Sequence, residues 1–373
     1  MRDSETGENY GRPWLTLLID AYSRLILAIY LTFDKPSYRS NMMVIRECVK
    51  RHGRLPQIFV TDGGKDFSSV YFETLLAIFE CIRKVRPPAE SRVGNLVERI
   101  FFTNNTQFVH NLQGNTQLMK NVRQVTKSVN PKNHALWYLS LCYEYACKYC
   151  YEVYPSLKHS TLGQTPAEMF ATGNQLAGER KHKLIPYNED FKILTFPTVK
   201  RGGTAKVIPS KGVKIQNIYY WTPTFNHPDI EENRVAVRYD PFNIGHAYAF
   251  INHQWTECFS EYFSTFNGCS EKLIEIASKE LRRRLKLTTN DFNLNAYKLA
   301  NFLNSIENEE AILRQRGFDR ELSPILSVIN GYTPLIQKDV LSDTLSENNG
   351  FIGDSVDFEI IDYSNETETY GRF

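Results

Sequence analysis

The chain has 373 residues, which is enough for two or three domains. Hydrophobic residues make up 42% of it, aromatic residues 13% and charged residues 23%, a composition that excludes wholesale disorder, collagen and a continuous coiled coil. No apolar run approaches the roughly 18 residues of a membrane span, and the first residues lack the apolar stretch of a signal peptide. We therefore expect an intracellular protein.

The net charge of +2 conceals a strong asymmetry along the chain. Residues 321–373 contain ten acidic and two basic residues, a balance of −8. The remaining residues 1–320 contain 42 basic and 32 acidic residues, a balance of +10. This division is typical of a protein whose main part, the body, binds phosphate groups and whose C-terminal tail does not.

Seven cysteines, an odd number in a long chain, argue against a disulfide framework. Cys142, Cys147 and Cys150 could be drawn as a zinc site with His134 or His159. However, they fall in a stretch rich in apolar and aromatic residues that is typical of one buried helix. Core packing is therefore the favoured interpretation of the three cysteines.

The first elements alternate between strands and helices. Two β-rich runs between Pro13 and Phe33 predict a hairpin around a turn at Tyr22, Ser23 and Arg24. A helix follows that has Ser37 as its N-cap and ends at Gly53, and a short buried strand then ends at Asp62. Next come a helix over about 68–80, the strand CIRKVRP and a helix that starts near Gly94 and carries Glu98. This order predicts an α/β domain over residues 1–176.

The second half of the chain changes character. The polar, proline-containing residues 177–190 predict a linker, and the short β-rich runs of 191–268 predict a small β-barrel. Residues 269–320 return to helical periodicity with many basic residues. Residues 321–373 have a composition unable to bury a core of their own, which predicts a mostly disordered acidic tail.

Asp62 and Glu98 are the candidate catalytic residues. One carboxylate ends a strand and the other lies on a helix, so in an α/β domain the two can converge beside the sheet edge. Paired carboxylates suit two magnesium ions that activate a hydroxyl and stabilise the leaving oxygen at a phosphodiester. The structural alternative is that Asp62 merely caps the following turn and that Glu98 is an ordinary exposed helical acid.

Three segments resemble, in order and spacing, the retroviral-integrase-like transposase core, which has a ribonuclease H-like fold of a mixed sheet with helices. They are VTDGGKDF at 60–67, GNLVERIFF at 94–102 and HSTLGQTPAEMF at 159–170. The resemblance implies that Asp62 and Glu98 bind catalytic Mg²⁺, for which Mn²⁺ can substitute. It also implies that Asn95 and Arg99 face DNA.

Three further segments make this resemblance more specific. GVKIQNIYYWTP and NRVAVRYDPFNIGHAYAFI are similar to the C-terminal barrel of phage Mu and TnsB-type transposases, and the opening SETGENYGRPWLTLLIDAYSR is similar to the TnsB type. The family implies a DDE-type transposase that joins transposon 3′ ends to target DNA. It implies a homo-oligomer on double-stranded transposon-end and target DNA, in the bacterial cytoplasm with the nucleoid. An AAA+ ATPase that selects the target would contact the C-terminal end.

One departure from the family pattern concerns the first of its three catalytic acids, an Asp on the strand before the one that ends in ID-x-YSR. Asp20 belongs to that following strand, and we expect it to shape the turn with Ser23 and Arg24. Asp3 is expected to lie in an exposed turn. The chain is therefore predicted to be either a fragment, inactive alone, or a naturally shortened protein that binds DNA without cutting it. A ribonuclease H-like nuclease is the second alternative.

Basic clusters outside the core predict DNA contact. One cluster surrounds two glycines at the barrel entry, and the other lies on a later helix, where a solvated charged face is an equal alternative. Tyr219, Tyr220 and Trp221 could stack on bases, but core packing is favoured for all three. The apolar segment FIGDSVDFEIIDY at 351–363 predicts protein docking by the tail, with an unstructured spacer as the alternative. The basic residues are Lys200, Arg201, Lys206, Lys211 and Lys214 in the first cluster and Arg282, Arg283, Arg284 and Lys286 in the second.

Overall fold

The predicted N-terminal hairpin is present. Strands β1 (Trp14–Ile19) and β2 (Ile26–Thr32) pair antiparallel, and Leu17 lies opposite Ile29. Every residue of β2 is buried, whereas β1 is only partly covered. The computed structural model describes residues 1–64, 67, 69–86, 91–107, 109–112, 136–176, 184–199, 202–288, 295–305 and 310–331.

Helix α1 (Tyr38–His52) covers β2 and has the predicted ends. Ser37 occupies the N-cap position, and Gly53 ends the helix in the left-handed conformation with φ 63°. The Gly53 N–H donates to the carbonyl of Val49 at 2.7 Å, which satisfies one of the last helical carbonyls. Met42, Met43 and Ile45 of α1 are almost fully buried and form the centre of the first hydrophobic core.

The next three elements form a parallel crossover unit. Strands β3 (Ile58–Thr61) and β4 (Ile82–Val85) pair parallel, and α2 (Val70–Ile78) connects them. Because parallel strands end on the same side, the residues that follow β3 and β4 share one edge. The strands before the barrel thus form two separate two-stranded sheets, which differs from the single mixed sheet expected for a ribonuclease H-like core. Among the described residues no strand joins the two pairs.

Helix α3 (Ser91–Gln107) follows β4, and a later helix together with the turn after it contains three of the cysteines. That helix, α4 (Leu139–Lys148), continues through a π-helical turn, Tyr149–Val153, and a 3₁₀ turn, Tyr154–Ser156. Cys142 and Cys150 are buried in the first core, and burial raises the pKa of each thiol to about 12. This placement agrees with core packing, although His134 lies outside the described residues. Helix α5 (Pro166–Leu176) completes this part of the chain.

The described part of the predicted linker packs against the core. The N–H of Ile185 donates to the carbonyl of Gly53 at 2.9 Å, and the hydroxyl of Tyr187 donates to the carbonyl of Ile329 at 2.5 Å. Helix α6 (Glu189–Thr195) then adds Phe191 to the same core. The barrel consequently begins later than residue 191, at the strand that starts with Thr204.

The predicted barrel is a closed six-stranded barrel in the order β10-β7-β6-β5-β8-β9. Its interior is filled by small and branched residues such as Val207, Val213 and Val237. Gly212 at the start of β6 has φ +78°, and a Cβ there would lie 2.1 Å from the carbonyl oxygen of Tyr220, so this corner requires glycine. The strands are β5 (Thr204–Ile208), β6 (Gly212–Ile215), β7 (Ile218–Trp221), β8 (Arg234–Tyr239), β9 (His246–Ile251) and β10 (Gln254–Ser260).

Four helices follow the barrel: α7 (Phe263–Phe266), α8 (Glu271–Thr288), α9 (Ala296–Ser305) and α10 (Glu310–Asn330). Helices α8 and α9 contribute to the barrel core, and α10 contributes Ile312 to the barrel core and Leu322, Ile325 and Ile329 to the first core. The predicted boundary between residues 320 and 321 therefore falls inside a helix. The first residues of the predicted disordered tail are buried helical residues, and residues 332–373 lie outside the described chain.

A buried arginine joins the first core to the barrel. The guanidinium of Arg46 on α1 donates to the hydroxyl of Thr195 at 2.7 Å and to the carbonyl of Lys192 at 2.8 Å. It also lies 4.6 Å from the ring centroid of Phe196. From the barrel, Arg238 of β8 donates to the carbonyl of Phe196 at 2.5 Å. The segment around α6 is thus held from both sides, so the core and barrel are hydrogen-bonded to the same few residues.

Candidate active site

Asp62 lies directly after β3, on an exposed turn. Its Oδ1 accepts a hydrogen bond from the N–H of Gly64 at 2.9 Å. A Cβ at Gly64 would lie 2.8 Å from that same oxygen, so a larger residue here would require the Asp62 carboxylate to shift. Within the described part of the chain, Oδ2 of Asp62 accepts no hydrogen bond. The structure therefore shows the capping role of Asp62 and leaves a carboxylate oxygen available for a ligand.

Glu98 lies on an outward face of α3. Val97, Glu98 and Arg99 are all exposed, whereas the next residue, Ile100, is buried in the first core. Asn95 lies one helical turn earlier on the same helix, and its side chain is outside the described set. Glu98 is thus an exposed carboxylate on a helix that is fixed to the core through the residues beside it.

Topology places Asp62 and Arg86 at the same sheet edge. Thr61 is paired in parallel register with Val85, and the N–H of Arg86 donates to the carbonyl of Thr61 at 2.9 Å. Helix α3 begins five residues after Arg86, and Glu98 lies about 10 Å further along the helix axis at 1.5 Å per residue. Both carboxylates therefore follow the carboxyl ends of neighbouring parallel strands.

Asp20 shapes the β1–β2 turn, as predicted. Its Oδ2 accepts hydrogen bonds from the N–H of Ser23 at 2.8 Å and from the Ser23 hydroxyl at 2.6 Å. The N–H of Arg24 donates to the Asp20 carbonyl at 3.0 Å and closes the turn. This carboxylate is already engaged by its own turn, which confirms the local interpretation of Asp20.

The expectation that Asp3 lies in an exposed turn is wrong, because its side chain is fully buried. Its carboxylate accepts hydrogen bonds from the N–H groups of Glu5 and Thr6, from the Tyr10 hydroxyl and from Arg320 at 2.6 Å. Burial opposes ionisation, but these hydrogen bonds outweigh it and hold the pKa of Asp3 well below its ordinary value. Asp3 is therefore a structural anchor between the first residues and α10.

A histidine and two arginines from three separate elements share one electrostatic environment. Burial and then the nearby guanidinium groups of Arg24 and Arg99 lower the pKa of His159. The Nδ1 atom of His159 accepts the N–H of Thr161 at 3.2 Å, so the neutral ring carries its proton on Nε2. Sequence reasoning missed this cluster, although all three residues lie within the motifs that carried the resemblance.

The donor set at this edge suits a hard cation. Mg²⁺ takes oxygen ligands and commonly uses one or two protein carboxylates together with water and substrate oxygens. Asp62 and Glu98 supply two exposed carboxylates, which fits that chemistry. Across the described ranges, no group of three or more histidine, cysteine, aspartate or glutamate side chains is close enough to hold a metal.

The basic residues predicted at the barrel entry lie in different environments. Lys206 forms a loose ion pair with Glu232 at 3.6 Å. The ammonium groups of Lys211 and Lys214 instead lie 5.8 and 5.2 Å from the ring centroid of Tyr219. Lys200 and Arg201 lie outside the described residues.

On the basic helix α8, two of the predicted arginines pair with a glutamate of the same helix. Arg283 and Arg284 both donate to Glu280, at 2.5 and 3.1 Å for their closest contacts, whereas Arg282 is exposed. The side chain of Lys286 lies outside the described part of the structure. A role of these arginines in DNA binding stays a prediction.

The expectation that Tyr219, Tyr220 and Trp221 are all core residues is wrong for Trp221. Tyr220 points inward, is 2% exposed and donates its hydroxyl to the carbonyl of Ile244 at 2.7 Å. Trp221 is 38% exposed on the outside of the barrel, and Tyr219 is partly exposed. Side chains alternate between the two faces of β7, so three consecutive residues cannot all point inward.

Comparison with known proteins matches two separate segments of the chain. The model of the TnsB C-terminal domain matches residues 1–114, and that of the Mu transposase C-terminal domain matches residues 198–255. The transposase for transposon Tn552 from Staphylococcus aureus is 32% identical over 116 residues. The chain is related to the TnsB/Mu-type transposases. The Tn552 alignment covers 28% of this chain and 24% of that relative, so it spans about a quarter of the relative's length.

The first match contains Asp62, Asn95, Glu98 and Arg99, and the second contains the basic residues of the barrel entry. A solved structure titled as the simian T-cell lymphotropic virus intasome in complex with PP2A regulatory subunit B56 gamma is 14% identical. It covers 66% of this chain and 70% of its own, with a TM-score of 0.29. None of the helices in the described ranges is long and apolar enough to span a membrane.

Proposed function

We propose that this chain is the core and C-terminal part of a DDE-type DNA transposase that joins transposon 3′ ends to target DNA. The observation that carries the proposal is the position of Asp62 and Glu98. Both lie in the segment that matches the TnsB C-terminal domain, and both follow the carboxyl ends of parallel strands on exposed positions. The barrel that matches the Mu C-terminal domain supports the same function.

In this proposal Asp62 and Glu98 hold Mg²⁺, or Mn²⁺ in its place. The ions, when bound, supply activation of a DNA 3′-hydroxyl and stabilisation of the leaving oxygen. The N–H of Gly64 fixes the orientation of the Asp62 carboxylate through its hydrogen bond. Arg99, together with Arg24, attracts the DNA backbone to this edge because guanidinium groups bind phosphate oxygens well.

The proposed partners follow from the same family relation. They are double-stranded transposon-end and target DNA, further copies of the chain on that DNA, and an AAA+ ATPase that selects the target. We assign the ATPase contact to the apolar segment of the acidic tail at 351–363, which lies outside the described residues.

A non-catalytic DNA-binding protein is the competing function, and one observation favours it. Among the described residues, no group of three or more histidine, cysteine, aspartate or glutamate side chains could hold a metal ion. Two ions that lack a bridging carboxylate would be held poorly and would misplace the nucleophile. For this reason we expect residues 1–373 alone to bind metal without efficient joining.

Metal binding tests the assignment of Asp62 and Glu98 directly. We expect Asp62→Asn and Glu98→Gln each to weaken Mn²⁺ binding about tenfold or more in calorimetric titrations, because each removes a charged ligand. Asp20→Asn is the matched control and should leave Mn²⁺ affinity unchanged. It should lower the free energy of unfolding by about 1 to 2 kcal/mol, because a charged acceptor of two hydrogen bonds is lost. Loss of Mn²⁺ binding in Asp20→Asn, with stability intact, would instead make Asp20 a ligand.

Product analysis separates the competing functions. The protein is expressed together with any residues that its reading frame encodes before Met1. It is then incubated with Mg²⁺, end DNA with a free 3′-hydroxyl and a target plasmid. Joined DNA supports the transposase, and hydrolysis without joining supports a nuclease. DNA binding with neither product supports the non-catalytic protein and contradicts our proposal.

A further inference from the structure

An open groove runs along the outside of the barrel between β7 and β10. It has a volume of about 620 Å³. The residues that matter for its chemistry are three aromatic side chains, a lysine and a glutamate, namely Tyr219, Trp221, Phe259, Lys211 and Glu261. The groove lies far along the chain from Asp62 and Glu98, and none of its lining residues belongs to the candidate active site.

The aromatic side chains of the groove stand where a barrel normally carries polar ones. Ile218 and Tyr220 of β7 point inward, whereas Trp221 is 38% exposed. Phe259 of β10 lies directly opposite Trp221 in the antiparallel register and is 45% exposed. Directly opposed side chains on one face are close neighbours. The two rings therefore form one exposed aromatic surface on the outside of the barrel.

The Phe259 ring is held in place from its other side. Its centroid lies 5.6 Å from that of His246 and 5.4 Å from that of Phe263, and both contacts are edge-to-face. His246 is itself paired with Glu257 at 2.7 Å. These contacts orient the Phe259 ring without covering it, so less ordering is required when a flat ligand binds.

The charged groups at the groove favour a polyanion. Lys211 and Lys214 flank Tyr219, and neither forms an ion pair with any residue that the structure describes. Glu261 is the acidic residue of the lining, and its Oε1 accepts the N–H of Tyr219 at 2.9 Å. The available lysines and the engaged carboxylate make the groove complementary to phosphates.

The form of the barrel also limits what can bind there. All six strands are paired in a closed barrel, which leaves no free edge to which a peptide strand could add. A ligand must therefore bind through side chains. Flat aromatic faces beside lysines are the features with which proteins bind single-stranded nucleic acid, because bases stack on the rings and phosphates meet the cations.

We propose that this groove binds a single-stranded stretch of DNA, with bases stacked on Trp221 and Phe259 and phosphates at Lys211 and Lys214. Duplex DNA offers its phosphates to the lysines but keeps its base faces stacked on one another, so the aromatic surface selects unpaired bases. The inference deepens the proposed function and rests on it for the origin of the unpaired DNA. Binding itself requires neither Asp62 nor Glu98.

The test uses the full chain, EDTA and a fluorescent oligothymidylate of about ten nucleotides, a length within the range of single-strand sites. We expect Trp221→Ala to weaken binding by about 5- to 150-fold, the range for loss of one base–aromatic stack. Tyr297→Ala is the matched control, since Tyr297 is a 56% exposed aromatic residue outside the groove. The Tyr297→Ala control should bind the oligonucleotide with the affinity of the unaltered chain. The affinity for a duplex of equal length should not change with Trp221→Ala.

Two more measurements identify the contacts. Lys211→Gln with Lys214→Gln should reduce the slope of log affinity against log salt by about 1.4, or about 0.7 per phosphate contact, whereas exposed Lys35→Gln should not. Trp221→Phe should retain most of the affinity but lose most of the quenching of tryptophan fluorescence by the oligonucleotide.

Three results would overturn the inference. They are equal affinity of Trp221→Ala and the unaltered chain, equal losses for single strand and duplex, and tighter binding of an acidic peptide than of the oligonucleotide. Because EDTA removes divalent metals, failure here leaves the metal and joining tests of the proposed function untouched. Conversely, Asp62→Asn should bind the oligonucleotide normally even if joining is never observed.

Discussion

The carboxylate of Asp319 is partly buried where α10 passes the start of α8. It accepts hydrogen bonds from the Ser270 hydroxyl at 2.6 Å and from the Gln315 amide at 2.9 Å. Burial raises the pKa of Asp319 to about 6, and these hydrogen bonds only partly offset that effect. Asp34 raises the pKa further, whereas Arg39 lowers it. This junction therefore contains an acid whose ionisation opposes folding.

The stability of the fold should consequently depend on Asp319 and pH. In the unfolded chain the carboxyl ionises near pH 3.8, whereas in the fold it does so near pH 6, so stability is lost as pH rises through this interval. The loss at neutral pH is about 2 to 3 kcal/mol. We expect Asp319→Asn to lack this loss. Its free energy of unfolding relative to the unaltered chain should rise by that amount between pH 4 and pH 7.

Urea denaturation at several pH values measures this difference. Asp229→Asn, which removes an exposed aspartate, controls for the loss of one carboxylate from the chain as such. A difference between Asp319→Asn and the unaltered chain that stays constant from pH 4 to pH 7 would contradict the assignment.

The aspartates show which residue roles can be predicted from sequence. The role of Asp20 was predictable because its partners, Ser23 and Arg24, are three and four positions away. The role of Asp3 was not, because Arg320 is 317 positions away and only the fold brings it close. The metal role of Asp62 and Glu98 stays a prediction, since it came from family motifs and the structure supplies only their positions.

Among the elements, α10 depends on a glycine for its close approach to the first residues. A Cβ at Gly317 would lie 1.9 Å from the hydroxyl oxygen of Tyr10 and 2.8 Å from its Cζ. Tyr10 cannot move easily, because its ring packs edge-to-face against Phe33 and Phe318. Helix α10 and the N-terminal segment thus meet at a site with no room for a side chain.

We expect Gly317→Ala to destabilise the protein by about 2 kcal/mol or more. Alanine favours a helix over glycine by about 1 kcal/mol, but overpacking costs about 1 to 3 kcal/mol and the Tyr10 hydroxyl would also lose its bond to Asp3. Gly173→Ala on α5 is the matched control. Its Cβ would meet Tyr22 at 2.7 Å, but Tyr22 is 51% exposed and can rotate away.

Urea denaturation of both glycine variants checks this prediction. The control should be as stable as the unaltered chain or more stable. Equal stabilisation by both substitutions would mean that helix propensity alone decides the effect at Gly317, against our expectation.

At the element scale, sequence reasoning succeeded where local signals are complete. Helix α1 has its N-cap serine and its C-terminal glycine. The barrel strands are short β-rich runs that are separated by turn residues. It failed for the end of α10, because the overall acidity of residues 321–373 obscured Leu322, Ile325 and Ile329. These three apolar residues pack into the first core, which is formed by the first half of the chain. The expected single mixed sheet also differs from the two strand pairs observed.

For the whole molecule, charge asymmetry predicts a division of partners. The body carries +10 and the tail −8, so DNA should bind the body and be repelled by the tail. We expect deletion of residues 345–373 to abolish capture of the AAA+ ATPase in a pull-down without weakening DNA binding. The apolar segment at 351–363 supplies the contact in this proposal. Equal capture of the ATPase with and without residues 345–373 would contradict this prediction.

The packing of α10 has a mechanical consequence for the protein. Asn330, at the end of the helix, accepts a hydrogen bond from Arg46 at 3.0 Å, and Glu321 accepts the N–H of Ser4 at 2.7 Å near its middle. Tension applied to the chain beyond Gly331 therefore enters the fold at Arg46 and is shared between the first core and the α6 segment, to which the barrel is also hydrogen-bonded.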